Sequence, residues 1–223
     1  MSIMRDNYEK ILASLGKNIT LVAVSKTKPV SDIQALYNLG HRDFGENYVQ
    51  ELIEKQPQLP SDIRWHFIGH LQSNKVKYIA PIVHLIHGVD SLKLLVEIDK
   101  QASKNLRIIS CLLQVHIASE ETKFGLSDNE LNDLIIQINH EKSTGLLQSI
   151  TVGGLMGMAS FTEDMNKVRA EFHQLKLMFD KAKINLLDKG FSHLSMGMSA
   201  DYQIAIEEGS NMVRIGSLIF GAR

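Results

Sequence analysis

Ile19-Thr-Leu-Val-Ala-Val-Ser-Lys-Thr-Lys-Pro29 is the stretch on which the fold turns. Its first seven residues form an apolar, β-branched run that reads as a buried strand. The run passes directly into Ser25-Lys-Thr-Lys-Pro29 instead of a glycine fingerprint, so nothing marks the ligand crevice of a doubly wound open sheet. Seven further short runs follow, at 43–46, 65–69, 85–89, 108–117, 150–158, 193–198 and 212–215. Helical periodicity fills the intervals at 31–39, 48–55, 73–79, 91–104, 128–139, 163–182 and 201–208, and an opening helix is predicted over 7–15. Such alternation is the signature of an α/β chain. Eight strands with helices between them predict a (β/α)8 TIM barrel, a fold that 223 residues suit.

Charge and composition narrow the function. Lys and Arg total 24 against 25 Asp and Glu, for a net charge of −1. There is no broad basic field for a polyanion, which argues against nucleic acid as a partner. Cys111 is the only cysteine, so neither an internal disulfide nor a cysteine-based metal site can form. It lies in the apolar run Ile108-Ile-Ser-Cys-Leu-Leu113 and reads as a small buried hydrophobe. Met4-Arg-Asp-Asn-Tyr-Glu-Lys10 breaks up the amino terminus with polar residues, leaving no visible signal peptide or membrane span and making the cytoplasm the expected location. No repeat, low-complexity tract or linker divides the chain, so residues 1–223 are expected to form one domain.

The strand ends carry the chemistry. In a barrel, ligands bind at the carboxyl ends of the strands, and phosphate is often held after the seventh and eighth. Lys26 would stand at the end of the first strand, where an amine at the rim of the core can form an imine; its ordinary alternative is the start of a solvated turn. Ser199 follows the seventh strand and reads either as the cap of the next helix or as part of an anion site. After the eighth strand, Gly216 lets backbone approach a ligand, and the N–H groups of Gly216 and Ser217 can donate to phosphate oxygens. Arg214 lies within an otherwise apolar strand, where a guanidinium needs a partner or a place at the mouth. An imine-forming lysine beside these groups points to a phosphorylated aldehyde, and pyridoxal phosphate fits.

Six segments then carry a family likeness. They are Ala23-Val-Ser-Lys-Thr-Lys-Pro29, Phe44-Gly-Glu-Asn-Tyr48, Trp65-His-Phe-Ile-Gly69 with Leu71-Gln72 and Asn74-Lys75, Gly154-Leu-Met-Gly-Met158, Leu194-Ser-Met-Gly-Met-Ser199 with Asp201, and Val213-Arg-Ile-Gly216 with Ile219-Phe-Gly221. In this order, across nearly the whole chain, they resemble the pyridoxal phosphate homeostasis proteins, a YggS-type family related to the barrel domain of alanine racemase. The resemblance implies a fold-type III cofactor barrel lacking the second β-domain of the racemases, with Lys26 forming the internal aldimine. It also implies that Ser199, Gly216 and Ser217 hold the phosphate, that Arg214 faces the pyridine nitrogen, and that Asn47 and Met196 lie near the ring. The family pattern has asparagine where this chain has His116, so no contact is assigned there.

The remaining polar residues read as structural. His66, His70, His84, His87 and His193 lie in or beside apolar runs without the spacing of a helical zinc site, so no metal is expected. Met156, Met158, Met196 and Met198 recur with period two, so core packing is expected with one face toward the mouth. Glu120, Glu121 and Lys123 read as a solvated loop.

Arg214 also bears on mechanism. A guanidinium beside the pyridine nitrogen disfavours protonation of that atom and weakens the ring as an electron sink, while leaving aldehyde binding intact. Racemases with such an arginine add a second domain and an opposing tyrosine, for which a chain ending at Arg223 has no residues. The expectation is a monomeric, non-catalytic carrier that buffers pyridoxal phosphate or delivers it to dependent apoenzymes. A small amino-acid racemase is the alternative, and a cofactor-free phosphosugar aldolase is the third.

Overall fold

A computed structural model describes residues 3–120, 124–186 and 190–221. Strands β1 (Thr20–Val24), β2 (Asp43–Glu46), β3 (Arg64–Phe67), β4 (Val83–Val89), β5 (Ile109–His116), β6 (Ile150–Met158), β7 (His193–Ser195) and β8 (Met212–Ile215) close a parallel barrel in sequence order. Closure is made by β1 and β8, whose register pairs Val22 with Arg214 and Ala23 with Ile215. Around the barrel run α1 (Arg5–Ser14), α2 (Val30–Asn38), α3 (Val49–Lys55), α4 (Val76–Ile79), α5 (Leu92–Lys104), α6 (Asp128–Ser143), α7 (Met165–Asn185), α8 (Tyr202–Glu207) and α9 (Ser217–Phe220). The predicted (β/α)8 architecture and its opening helix are present.

Strand periodicity divides the core into two layers. On β1, Leu21 and Ala23 join the large cluster between barrel and helices, while Val22 joins Leu85, Leu112, Met156 and Met212 inside. Successive side chains alternate faces, so β1, β4, β5, β6 and β8 each feed both layers. Each fully buried aliphatic side chain contributes roughly 1.5–3 kcal/mol, and the outer layer, being far larger, supplies most of the cohesion. That leaves the interior free to carry polar groups: His66, His87, Gln114, Ser195 and Arg214 are all buried. Cys111 is buried as expected, and burial pushes its thiol pKa up.

Helix starts follow capping chemistry. Ser127 and Glu130 form a reciprocal capping box at α6, and Asp164 Oδ1 accepts the Asn166 and Lys167 N–H groups at the start of α7. Ser199 does not do this. The first turn of α8 is preceded by Asp201, without a side-chain cap, so the capping expectation for Ser199 is corrected. Strand β7 also stops at Ser195, short of the predicted 198, because Gly197 adopts φ 94° and turns the chain toward α8. The short helix α9, seated after Gly216, has no counterpart among the predicted elements.

Candidate functional site

The carboxyl ends of the strands converge on a cavity of about 560 Å³. Small-molecule sites commonly span roughly 300–1,000 Å³. Lys26, just beyond β1, lines the cavity with Asn47 after β2, Ser199 between β7 and α8, Arg214 in β8, and Gly216 and Ser217 after it. Parallel strands all present the same end to the mouth, which gathers residues almost 200 positions apart, from Lys26 to Ser217. Met196 stays outside: it is fully buried and borders no part of the cavity, whereas Met158 and Met198 line it. The turn at Gly197 separates these two methionines.

The backbone around Lys26 is held from beneath by an ion-pair cluster. Lys55 Nζ donates to the Ser25 carbonyl at 3.0 Å, to Glu46 Oε1 at 2.9 Å and to Glu51 Oε2 at 2.7 Å. Ser25 Oγ donates to the same Glu46 oxygen at 2.7 Å, and Thr27 N–H donates to Glu51 Oε2 at 2.7 Å. Both neighbours of Lys26 are therefore fastened to one cluster. Thr27 has φ 63°, the left-handed region, which costs a non-glycine residue roughly 1–2 kcal/mol; its bond to Glu51 offsets part of that strain. Burial raises the Glu46 carboxyl above the usual range, although Lys55 pulls the other way. Glu51 is more open, and hydrogen bonds from Lys55 and Thr27 outweigh its burial and lower it.

At the opposite side of the mouth, Gly216 N–H donates to Ser199 Oγ at 3.3 Å, tying the loop after β7 to the end of β8. Met198 N–H donates to Asp201 Oδ1 at 2.6 Å and fixes the same loop. Arg214 is 4% exposed; its Nη1 donates to Ser195 Oγ at 2.6 Å and its Nη2 to the Gly157 carbonyl at 3.0 Å. Burial pushes its pKa down to about 10, against the attraction of Asp201, so it remains a cation at neutral pH. Two of its five N–H groups are thus committed to the barrel wall while the residue borders the cavity.

Several residues that shape the site were not singled out from the sequence. Lys55 and Glu51 carry a legible signal, an i,i+4 pair on one helix, but its target at Ser25 and Thr27 is a tertiary contact. Ser195, which accepts from Arg214, and His87, which contacts Ser195, could not be paired from the sequence because they lie on β7 and β4. His116 Nε2 lies 2.9 Å from the Glu120 carbonyl. Glu121 and Lys123 fall outside the described residues. Among the described residues no group of three or more His, Cys, Asp or Glu could hold a metal, and no helix is long and apolar enough to cross a membrane.

Residues 1–223 match the family described as alanine racemase, N-terminal domain. The "Pyridoxal phosphate homeostasis protein" of Aquifex aeolicus is 41% identical over 213 residues, covering 95% of this chain and 90% of its own length. The chain belongs to the pyridoxal phosphate homeostasis protein family. PipY of Synechococcus elongatus, solved without and with pyridoxal phosphate bound, is 32% identical and superimposes with TM-scores of 0.90 and 0.87 over 97% of this chain and 99% of that one. Alanine racemase of Bartonella henselae shares the fold at 17% identity and a TM-score of 0.69, over 97% of this chain and 59% of that one. The segments that resemble the pyridoxal phosphate homeostasis proteins fall on β1, β2, β3, β6, β7 and β8 and their following loops, and all six contribute lining residues. In the third, Ile68 supplies the lining and His66 lies beneath it.

Proposed function

We propose that this chain binds pyridoxal 5′-phosphate covalently on Lys26 and holds it for buffering or for delivery to pyridoxal phosphate-dependent apoenzymes, without turning over a substrate. The observation that carries the proposal is the convergence of Lys26, Ser199, Arg214, Gly216 and Ser217 on one cavity. Condensation of the Lys26 amine with the cofactor's aldehyde forms a Schiff base and releases water.

The residues present fit that group. Ser199 Oγ and the Gly216 N–H are already within hydrogen-bond distance of each other, so an anion seated there gains donors from both strand ends. Arg214 supplies a braced cation for an aromatic nitrogen with a lone pair. Asn47 Oδ1 is buried at the cavity without a hydrogen-bond partner, an acceptor that a ligand hydroxyl would satisfy. PipY, bound to pyridoxal phosphate in one of its structures, supports the same assignment.

The carrier role follows from what the site's residues can do with protons. Arg214 is a donor that is not deprotonated at neutral pH, so it holds the nearby ring atom as an acceptor and restrains its use as an electron sink. We place the protein in the cytoplasm as a monomer, with residues 1–223 acting as one binding domain. Borohydride reduction of the purified protein followed by peptide mass analysis is expected to find the pyridoxyl group on Lys26; an adduct elsewhere, or none, overturns the proposal. Incubation of the loaded protein with L-amino acids in deuterated water is expected to leave the α-carbon unexchanged. Robust exchange or inversion would establish the racemase alternative.

A further inference from the structure

Beneath the cavity, the barrel interior carries a chain of polar contacts that pyridoxal phosphate binding does not itself require. Arg214 Nη1 donates to Ser195 Oγ at 2.6 Å, and that oxygen lies 3.1 Å from His87 Nδ1. His87 Nε2 lies 2.9 Å from His66 Nδ1, and His66 Nε2 lies 3.0 Å from Asp43 Oδ1. Asp43 also accepts from Arg64 Nε at 2.7 Å, at the amino ends of β2 and β3. The contacts therefore run from the cavity to the floor of the barrel. His66, His87 and Ser195 are at most 1% exposed, so a wrongly directed proton would strand a buried group.

The two ends fix the direction of every bond between them. A guanidinium only donates, and a carboxylate only accepts. Asp43 is held as a carboxylate because hydrogen bonds from His66 and Arg64 outweigh its burial. His87 is kept neutral, chiefly by burial, and the neighbouring Arg214 guanidinium also opposes a positive charge there. If His66 and His87 each carry a single proton, which the relay requires and the tautomer measurement below reads directly, only one arrangement satisfies every contact. Arg214 gives to Ser195, the Ser195 hydroxyl to His87 Nδ1, His87 Nε2–H to His66 Nδ1, and His66 Nε2–H to Asp43. Reversal would turn the bare lone pair of His66 Nε2 toward the carboxylate.

We infer that His87, acting through Ser195, is a positioning residue for Arg214, within a one-directional relay that anchors the cavity-facing guanidinium to Asp43 on the barrel floor. That Arg214 meets the cofactor ring rests on the function proposed above; the relay itself does not. The relay gives Arg214 a single rotamer and a single donor direction. It also explains why histidines stand inside the barrel: a neutral imidazole passes a hydrogen bond on in one sense, as no aliphatic side chain can.

The test has two arms. In the first, long-range ¹⁵N–¹H correlation spectra of the unloaded protein report the imidazole tautomers, with His87→Gln and His66→Gln assigning the signals. Both histidines are expected as Nε2–H tautomers with unprotonated Nδ1; a His87 protonated on Nδ1 overturns the relay. In the second, pyridoxal phosphate is loaded and its release and absorption maximum are followed. Ser195→Ala, which removes one charge-assisted bond from Arg214, and His87→Leu, which removes the acceptor that orients the Ser195 hydroxyl, are each expected to speed release about tenfold and to shift the band. His87→Gln keeps an acceptor toward Ser195 and a donor toward His66, and is expected to stay close to the wild type. Release and band unchanged in both Ser195→Ala and His87→Leu overturn the positioning role, and Ser195→Ala alone decides the point if His87→Leu does not fold. A wild-type protein that takes up no pyridoxal phosphate refutes the function proposed for the cavity, while the tautomers still decide the relay.

Discussion

Lys55→Met is the most informative single perturbation outside the cavity. The substitution keeps an unbranched apolar stem of similar length and removes only the ammonium group. Glu46 is 0% exposed, its Oε2 has no hydrogen-bond partner, and its Oε1 would then rely on Ser25 Oγ alone. A buried carboxylate deprived of its cation costs about 3–5 kcal/mol if it stays charged. Protonation is its escape, at about 1.4 kcal/mol for each unit by which pH exceeds the unfolded-state pKa, up to the folded value. The sign follows from the direction of the shift: burial already raises the Glu46 pKa, and loss of Lys55 raises it further. A raised carboxyl pKa favours the folded state least at high pH, because the unfolded chain sheds that proton first. The electrostatic part of the penalty is therefore small near pH 5 and largest near pH 8, where roughly 2–4 °C of melting temperature is lost per kcal/mol, or on the order of 6–20 °C in all. Thermal and urea unfolding of both proteins at pH 5, 6, 7 and 8 provides the assay. A penalty independent of pH, or one under about 1 kcal/mol at pH 8, would refute this account of the cluster. Adding Glu46→Gln to Lys55→Met is expected to remove most of the pH dependence.

Three further outcomes are expected. Lys26→Ala should abolish the visible absorption of protein loaded with pyridoxal phosphate, while Ser199→Ala should weaken retention only about 2- to 10-fold because backbone donors remain; equal loss in both would overturn that ranking. His41 is 7% exposed, and burial pushes its pKa down to about 4, against the hydrogen bond to the Asp43 carbonyl. The unfolded chain thus binds a proton first as pH falls below the usual histidine value, and stability should drop by about 3 kcal/mol between pH 6.5 and 4 from this residue; urea titrations of His41→Gln should show a shallower acid loss, and an unchanged slope would refute the assignment. Gly197→Ala would place a Cβ 2.6 Å from Ala205 Cβ at φ 94°. It should cost at least about 2 kcal/mol in unfolding assays and loosen cofactor retention by displacing Ser199.

Much of the fold could be read from local pattern. The run over 19–25 and its seven successors mark strands because buried parallel strands need short apolar segments, and each of the eight expected strands is present. Boundaries failed where a tertiary contact overruled local preference. Ser199 has the chemistry of a cap, yet the turn at Gly197 delivers its hydroxyl to Gly216 instead. Met196 has the same residue type and strand parity as Met198, but the same turn leaves one buried and the other at the rim.

What the sequence determined by itself is therefore the alternation of elements, the barrel, and the identity of the groups at its strand ends. Periodicity and strand-end chemistry are local properties, written within a few neighbouring residues. What only the tertiary structure decided is which buried polar groups meet. Lys55 reaches back from α3 to Ser25, and Arg214 on β8 reaches Ser195, His87, His66 and Asp43 on three other strands and at the start of β2. Hydrogen bonds depend on distance and angle within tenths of an ångström, and barrel closure brings those atoms together from residues up to 108 positions apart, as between His87 and Ser195.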